Sequence, residues 1–285
     1  MRPVFGDVEQ IVDDAPLVVG GSAAITACGA ARLGARTALC SLVGDDVYGE
    51  FMRAKLAERG VDTTGIATTQ SASTGISIIL AAEGERAILT ALGTIEKLAA
   101  EHVDIALLAE ARHLHVTPFF LLAGLRPGLR ELLKTARSMG LTTSMDTNWD
   151  PSEQWDGGLT EVLATADYLF VNAEEASRIS GQSEPARAAA ALFALGPAVI
   201  VKLGRDGALA HGPAGISRCP AAQPTAIIDT VGAGDSFNAG FLVGRLAGKS
   251  IPESLTIACR CGTLSTRTAG GTDGQATMAE VEAAE

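Results

Sequence analysis

The chain has 285 residues, 47% of them apolar, enough for one large α/β domain with a sizeable core or for two small ones. A net charge of −11 with only 4% aromatic residues speaks against a polyanion-binding surface, so nucleic acid is not expected and any phosphate must be held locally. No uninterrupted apolar run reaches the ~18 residues of a membrane span, and no export signal opens the chain, which leaves a cytoplasmic protein without membrane partners as the expectation.

Taken in order, Arg2–Leu17 show no apolar strand. Gly20-Gly21 then opens a small-residue helix that runs to Gly34. A buried strand is predicted at Thr37–Val43, followed by Gly44-Asp45-Asp46-x-x-Gly49 and a helix over residues 50–60 that stops at Gly60. Thr74–Leu80, a turn at Glu83-Gly84-Glu85-Arg86 and Ala87–Thr90 predict a β-hairpin, with Glu85 and Arg86 as solvated turn residues.

From residue 95 helical and strand patterns alternate. Helices are predicted at Leu98–Leu108, Leu125–Met139, Leu159–Thr165, Glu174–Ile179 and Ala186–Leu195. Strands are predicted at Arg112–Val116, Leu141–Met145, Tyr168–Val171 and Ala198–Leu203. That alternation implies βαβ units and a mostly parallel sheet covered by helices on both faces. There is no internal repeat or low-complexity linker, so residues 1–285 read as one domain. The five cysteines, Cys28, Cys40, Cys219, Cys259 and Cys261, form no C-x-x-C pair and read as reduced, mostly buried thiols.

Ligands of open α/β sheets sit beyond the carboxyl ends of the strands, so the polar residues found there are the candidates. Asp146 and Asn148 follow one strand, and they read either as ligand contacts or as an Asx-capped turn. Asn172 and Glu175 follow the next and fit an N-cap with its capping box. Lys202, facing either a ligand or solvent, precedes the turn Gly204-Arg-Asp-Gly207. His113 and His115 alternate along one strand with no third metal ligand nearby, which favours hydrogen-bonded histidines. Trp149 and Trp155 either wall a pocket or pack.

The most informative stretch is Asp229-Thr-Val-Gly-Ala-Gly-Asp-Ser-Phe-Asn-Ala-Gly-Phe-Leu242. Gly232, Ala233 and Gly234 ahead of a helix let backbone N–H groups converge at the positive end of its dipole, an anion site. A carboxylate inside such a site, Asp235, would repel phosphate unless it has a task. Taking a proton from a hydroxyl that attacks phosphorus is one such task.

This string resembles the second signature of the ribokinase-like (PfkB) family of carbohydrate and nucleoside kinases, and Gly20–Gly34 with Gly44–Gly49 resembles the first. The resemblance covers nearly the whole chain. It implies the ribokinase-like fold with a small β lid, at residues 3–19 and 64–92. It also implies ATP with Mg, Asp235 as base, and Gly232, Ala233 and Gly234 as anion hole. Asn172 and Glu175 would hold magnesium mainly through water, and Lys202, Gly204, Gly207, Thr230 and Gly271 would line the nucleotide. Asp229 and Val231 would frame a potassium site.

In such relatives a strand ending in Gly and a substrate-gripping Asp precedes the Gly pair. With none at Arg2–Leu17, the chain is expected to begin late, and that role is not carried onto Asp7, Asp13 or Asp14. The first signature's Asn falls on Ile25, and Ser22 stands where ribokinases proper often have Lys. These departures argue against ribose and leave Gly21 and Ser22 as sugar-pocket candidates beside Asp146, Asn148 and Asp235. Asp146-Thr-Asn148-Trp-Asp-Pro is similar to a stretch of 2-keto-3-deoxygluconate kinases and fructokinases, with Asp150 in place of Arg. The expectation is therefore an ATP-dependent kinase of a keto-sugar or sugar acid, with pairing of two copies through their lids. The alternatives are a nucleoside kinase and a catalytically impaired nucleotide- or sugar-binding protein. A P-loop kinase or dinucleotide enzyme is disfavoured, since neither glycine motif is present.

Overall fold

The computed structural model describes residues 6–12, 14–82, 85–222 and 226–284. Its first half holds helix α1 (Ser22–Arg32), strands β1 (Thr37–Ala38) and β2 (Ser41–Gly44), α2 (Val47–Glu58), β3 (Val61–Asp62) and β4 (Ile66–Thr69). The hairpin β5 (Ile76–Ala82) and β6 (Glu85–Ala91) follows, then α3 (Ile105–Ala109), β7 (His113–Val116), α4 (Arg126–Ser138) and β8 (Thr142–Asp146). The second half runs α5 (Leu159–Leu163), β9 (Tyr168–Asn172), α6 (Ala173–Ser180), α7 (Pro185–Phe193) and β10 (Ala198–Lys202). It closes with β11 (Ala208–Gly212), β12 (Gly215–Cys219), α8 (Ala233–Leu246), α9 (Ile251–Ser265) and α10 (Met278–Ala283).

Strands that are apolar on both faces need cover on both sides, and the main sheet has it. Its order is β12-β11-β10-β9-β8-β7, with β7 to β10 parallel and β11 and β12 antiparallel. Leu169, Val171, Val199 and Val201 point into a core shared with Leu129 and Leu133 of α4. Phe170 and Ile200, the alternate residues of the same strands, point the other way onto Phe237 and Phe241 of α8. Three two-stranded sheets stand apart: β1 with β3, β2 with β4, and the hairpin β5–β6.

Several elements differ from expectation. The single strand Thr37–Val43 is two short strands, because β1 pairs with β3 and β2 with β4 on either side of Leu39-Cys40. The helix Leu98–Leu108 is a 3-10 turn at Ala100–His102 followed by α3; Val103 is extended and Asp104 starts the second piece by accepting from Ala106 N–H at 2.8 Å. Glu85 and Arg86 belong to strand β6, paired with Ala82 and Ala81, rather than to the turn, whose residues 83–84 lie outside the described residues. Of the lid segment 3–19, residues 6–12 and 14–19 carry no strand and the rest lies outside the described residues. All five cysteines are free thiols; Cys28, Cys259 and Cys261 are buried, Cys40 and Cys219 half-buried.

Among the described residues β2 and β7 each pair on one side only. Both line one cavity of about 3120 Å³ that continues to Asn148, Gly232 and Asp235. Its walls are largely apolar, with Ala27 and Ala30 of α1, Leu242 and Leu246 of α8, and Leu108 and Leu125 from the opposite layer.

Candidate active site

Parallel strands in register deliver their carboxyl ends side by side. Asn172 ends β9 opposite Lys202 at the end of β10, and Asp146 ends β8 opposite Phe170. The first turn of α8 stands beside them. Gly232 enters it at φ 72°, where a Cβ would lie 2.8 Å from Gly271 Cα and 3.0 Å from Ile25 Cγ2, so only glycine fits. Ser236 N–H donates to Gly232 O at 2.8 Å, while Ala233 N–H turns back to Thr230 O at 3.3 Å. The start of α8 is thus formed, with one amide of the trio, that of Ala233, engaged within its own loop.

Asp146 is the electrostatic hub. Its Oδ2 accepts from Lys202 Nζ at 2.5 Å and from Asn238 Nδ2 at 2.6 Å, and its Oδ1 accepts from Asn148 N–H at 3.1 Å. Burial pushes the Asp146 carboxyl up, but the charge and hydrogen bonds of Lys202 and the Asn238 amide outweigh it and hold it below the usual carboxylate range. Lys202 is held above its ordinary value, since burial, which acts against its charge, is outweighed by Asp146 and Glu175. Lys202 therefore does not face open solvent. It is an internal ion-pair partner whose Nζ would sit 3.5 Å from a Cβ at Gly234.

Asp235, in the first turn of α8, is pushed up to about 7 by burial first and by the Asp146 charge second, against Lys202 and a hydrogen bond from Ser22. A relay of side chains leads to it: Thr117 O–H donates to Asn148 Oδ1 at 3.0 Å, and Asn148 Nδ2 donates to Ser22 Oγ at 2.9 Å. Asn148 sits at φ 53°, held in its turn by the bond to Asp146, so the Asx-capped turn is formed while its side chain reaches Ser22. Gly21, at φ 86°, is the N-cap of α1 and lines the same cleft.

Asn172 and Glu175 form the capping box of α6. Asn172 N–H and Nδ2 donate to the two Glu175 oxygens at 2.8 and 2.7 Å, and Glu175 N–H donates to Asn172 Oδ1 at 2.8 Å. Glu175 is 5% exposed, and burial followed by the Asp146 charge pushes its carboxyl up to about 7. Three acids thus surround one ammonium group, an excess of negative charge that a divalent cation would offset. Among the described residues no three His, Cys, Asp or Glu side chains are placed to hold a metal directly.

The remaining candidates spread outward. Gly204 and Gly207 bracket the 3-10 turn between β10 and β11, and a Cβ on Gly207 would strike Cys219 O at 2.1 Å. Asp229 accepts from Val231 N–H and Gly270 N–H, both at 2.9 Å, which brings the Thr230 loop against the loop of Gly271. Trp149 and Trp155 pack edge to face at 4.8 Å. His113 and His115 are both hydrogen-bonded to Ser144. Sequence reading missed Asn238 and Thr117; Asn238 lies three residues after Asp235, the one signal that it shares a helix face with the candidate base.

The chain is 33% identical over 256 residues to an ATP-dependent ribose-1-phosphate kinase of Halopiger xanaduensis, covering 86% of this chain and 79% of that protein. It is 32% identical over 267 residues to a fructokinase of Klebsiella pneumoniae, covering 88% and 86%. A candidate ribokinase II from E. coli, solved with ATP and Mg, superposes with a TM-score of 0.81 at 27% identity over 97% of this chain and 93% of that one. No described helix is long and apolar enough to cross a membrane. The pfkB family pattern itself matches residues 4–278, and the chain belongs to the pfkB family of carbohydrate kinases, phosphotransferases acting on a sugar hydroxyl.

Proposed function

We propose that the protein is an ATP-dependent sugar kinase in which Asp235 takes the proton from the attacking hydroxyl. The observation that carries this reading is the Asp235 carboxyl itself. It sits in the first turn of α8 beside the amides of the helix start, is pushed up to about 7, and feels Ser22 and the Lys202 charge. A base poised near neutral pH removes a proton effectively and is regenerated readily. Its place beside N–H donors at a helix start puts proton removal and stabilisation of a transferring phosphoryl group at one locus.

The phosphates would lie against residues 232–235, and the nucleotide would run toward Lys202, Gly204, Gly207, Thr230 and Gly271. Magnesium, when bound, would neutralise phosphate charge; Glu175 and Asn172 would hold it through water, as suits an ion that keeps several waters. Potassium would sit at Asp229 and Val231, where the two loops already meet. Ser22 and Asn148 would orient the sugar against Asp235, so that much of the rate comes from alignment and fixed dipoles. A keto-sugar or sugar acid is the acceptor favoured by the Asp146-x-Asn148 turn, and the fructose named for one relative fits that class. Two copies would pair through the hairpin β5–β6, which exposes Ile78, Ile79, Ile88 and Leu89.

The test is ADP release from ATP·Mg against keto-sugars, sugar acids, pentoses and nucleosides, with Asp235→Asn as control. Release with keto-sugars or sugar acids, lost in the variant, is expected. Release with nucleosides alone would overturn the substrate class, and release undiminished in Asp235→Asn would overturn the base.

A further inference from the structure

His115 lies on β7 opposite Ser144 of β8, two residues before Asp146 and on the same face of the sheet. Its Nδ1 lies 2.7 Å from Ser144 Oγ. The same hydroxyl lies 2.7 Å from His113 Nε2, and His113 Nδ1 lies 2.7 Å from Thr142 Oγ1. A hydroxyl has one proton, so Ser144 donates to one imidazole and accepts from the other. The groups that face His115 are His113, Asp146 and Lys202. Burial holds both imidazoles well below the usual histidine range, at about 3 for His113 and about 4 for His115, so both are neutral at neutral pH.

Two polar atoms close to this hub are buried and meet no hydrogen-bond partner among the described residues: His115 Nε2 and Asn238 Oδ1. Asn238 bonds to Asp146 directly, and the Asp146 charge acts on His115. Asn238 is fully buried on α8 and donates its amide to Asp146 Oδ2. The His115 ring is fixed edge-on to Phe170, the register partner of Asp146, with centroids 5.7 Å apart. Leaving either atom unsatisfied is costly, and the cavity that His115 lines gives water a route to it.

We propose that His115 is a positioning residue: its Nε2–H and the Asn238 carbonyl oxygen hold one buried water, and this bridge keeps the Asn238 amide turned toward Asp146. Each side-chain donor in the series then has an acceptor. Thr142 O–H donates to His113 Nδ1, His113 Nε2–H to Ser144, Ser144 O–H to His115 Nδ1, His115 Nε2–H to the water, and the water to Asn238 Oδ1. Without the bridge the contact with Asp146 Oδ2 alone orients the Asn238 amide, which is then freer to swing off the carboxylate. Oδ2 would lose one of its two donors, and the ammonium group that stands beside Gly234 and Asp235 would shift with it. The kinetic consequence rests on Asp235 being the base; the bridge itself does not.

Nitrogen NMR of the free protein with labelled histidine reads the bridge directly. His115 is expected neutral with its proton on Nε2, and a proton on Nδ1 would overturn the proposal. In kinetics, glutamine places an N–H donor where Nε2 lies, and asparagine mimics Nδ1. His115→Gln is expected to keep kcat, whereas His115→Asn and His115→Leu lower it about tenfold with KM little changed. Rescue by asparagine and failure of glutamine would show that only the Ser144 contact matters, and would overturn the bridge. Full turnover by Asp235→Asn would end the base assignment while leaving the NMR result standing, so the two failures are told apart.

Discussion

Lys202 Nζ lies 2.5 Å from Asp146 Oδ2, with 16% and 2% of the two side chains exposed. Two charges this far from water hold each other in place more than they stabilise the fold, because desolvation cancels much of their attraction. The pair fixes the end of β8 to the end of β10 and leaves Glu175 and Asp235 to share what remains of one positive charge.

Removing one partner strands the other. Lys202→Met is expected to lose about 3–5 kcal/mol in urea unfolding at pH 7, and Lys202→Met with Asp146→Leu to recover most of it. The Asp146 carboxyl is held below its unfolded range. Its contribution is therefore present above about pH 4 and is lost as pH falls further, so the gap between wild type and Lys202→Met should narrow in acid. A gap that stays constant from neutral pH to pH 3 would mean that packing, not charge, sets the loss.

Asp235→Asn is expected to lower kcat by about 10²–10⁴ with the fold intact. In the wild type, kcat/KM should fall on the acid side of about pH 7, as the base is protonated. Stability moves the opposite way. A carboxyl raised to about 7 binds its proton more tightly folded than unfolded, so stability declines as pH rises from about 4 to 7. The variant should lose less stability across that window, and Glu175, raised in the same direction, should supply the decline that remains. Urea midpoints at pH 5 and pH 8 measure the difference.

Gly232→Ala combines two penalties: a left-handed backbone, about 1–2 kcal/mol for a residue with a Cβ, and a Cβ 2.8 Å from Gly271 Cα. Gly248→Ala, at φ 79° with nothing within 4 Å, carries the first penalty alone. Thermal melts should show the larger loss for Gly232→Ala, and only that variant should raise the KM for nucleotide. Equal effects in both would mean that the Gly232–Gly271 approach does not shape the site.

Asp146, Asn172 and Lys202 were legible because each ends or follows an apolar strand, where an α/β sheet must present its ligands. Gly232–Asp235 stood out because glycines ahead of a helix free its first amides and because the whole string resembles a family signature. Asn238 was not, since a lone amide inside an apolar helix carries no periodic signal and meets Asp146 only through tertiary packing. The Leu98–Leu108 helix failed for the converse reason: its apolar spacing suits a helix, yet Asp104 accepts from Ala106 N–H and starts a new one there. The side of Lys202 stayed open in sequence because strand alternation ends at Lys202 and the carboxylate that claims it lies 56 residues away.

Among the described residues β2 and β7 each leave one edge without a strand partner, and those edges face an apolar-walled cavity of about 3120 Å³, where a folded interior would ordinarily be close-packed. Native protein should therefore bind the hydrophobic dye ANS without denaturant. Side chains that fill the space should stabilise, whereas the same change in a packed layer should not. Ala30 lines the cavity, and Ala30→Leu is expected to gain up to about 1 kcal/mol. Ala239 is fully buried between α1 and α8, its Cβ 2.9 Å from where a Gly29 Cβ would stand, and Ala239→Leu is expected to lose about 1–3 kcal/mol. If both substitutions cost the same, β2 and β7 close on one another in solution, and the cleft that runs on to Asp235 is narrower than its lining residues imply.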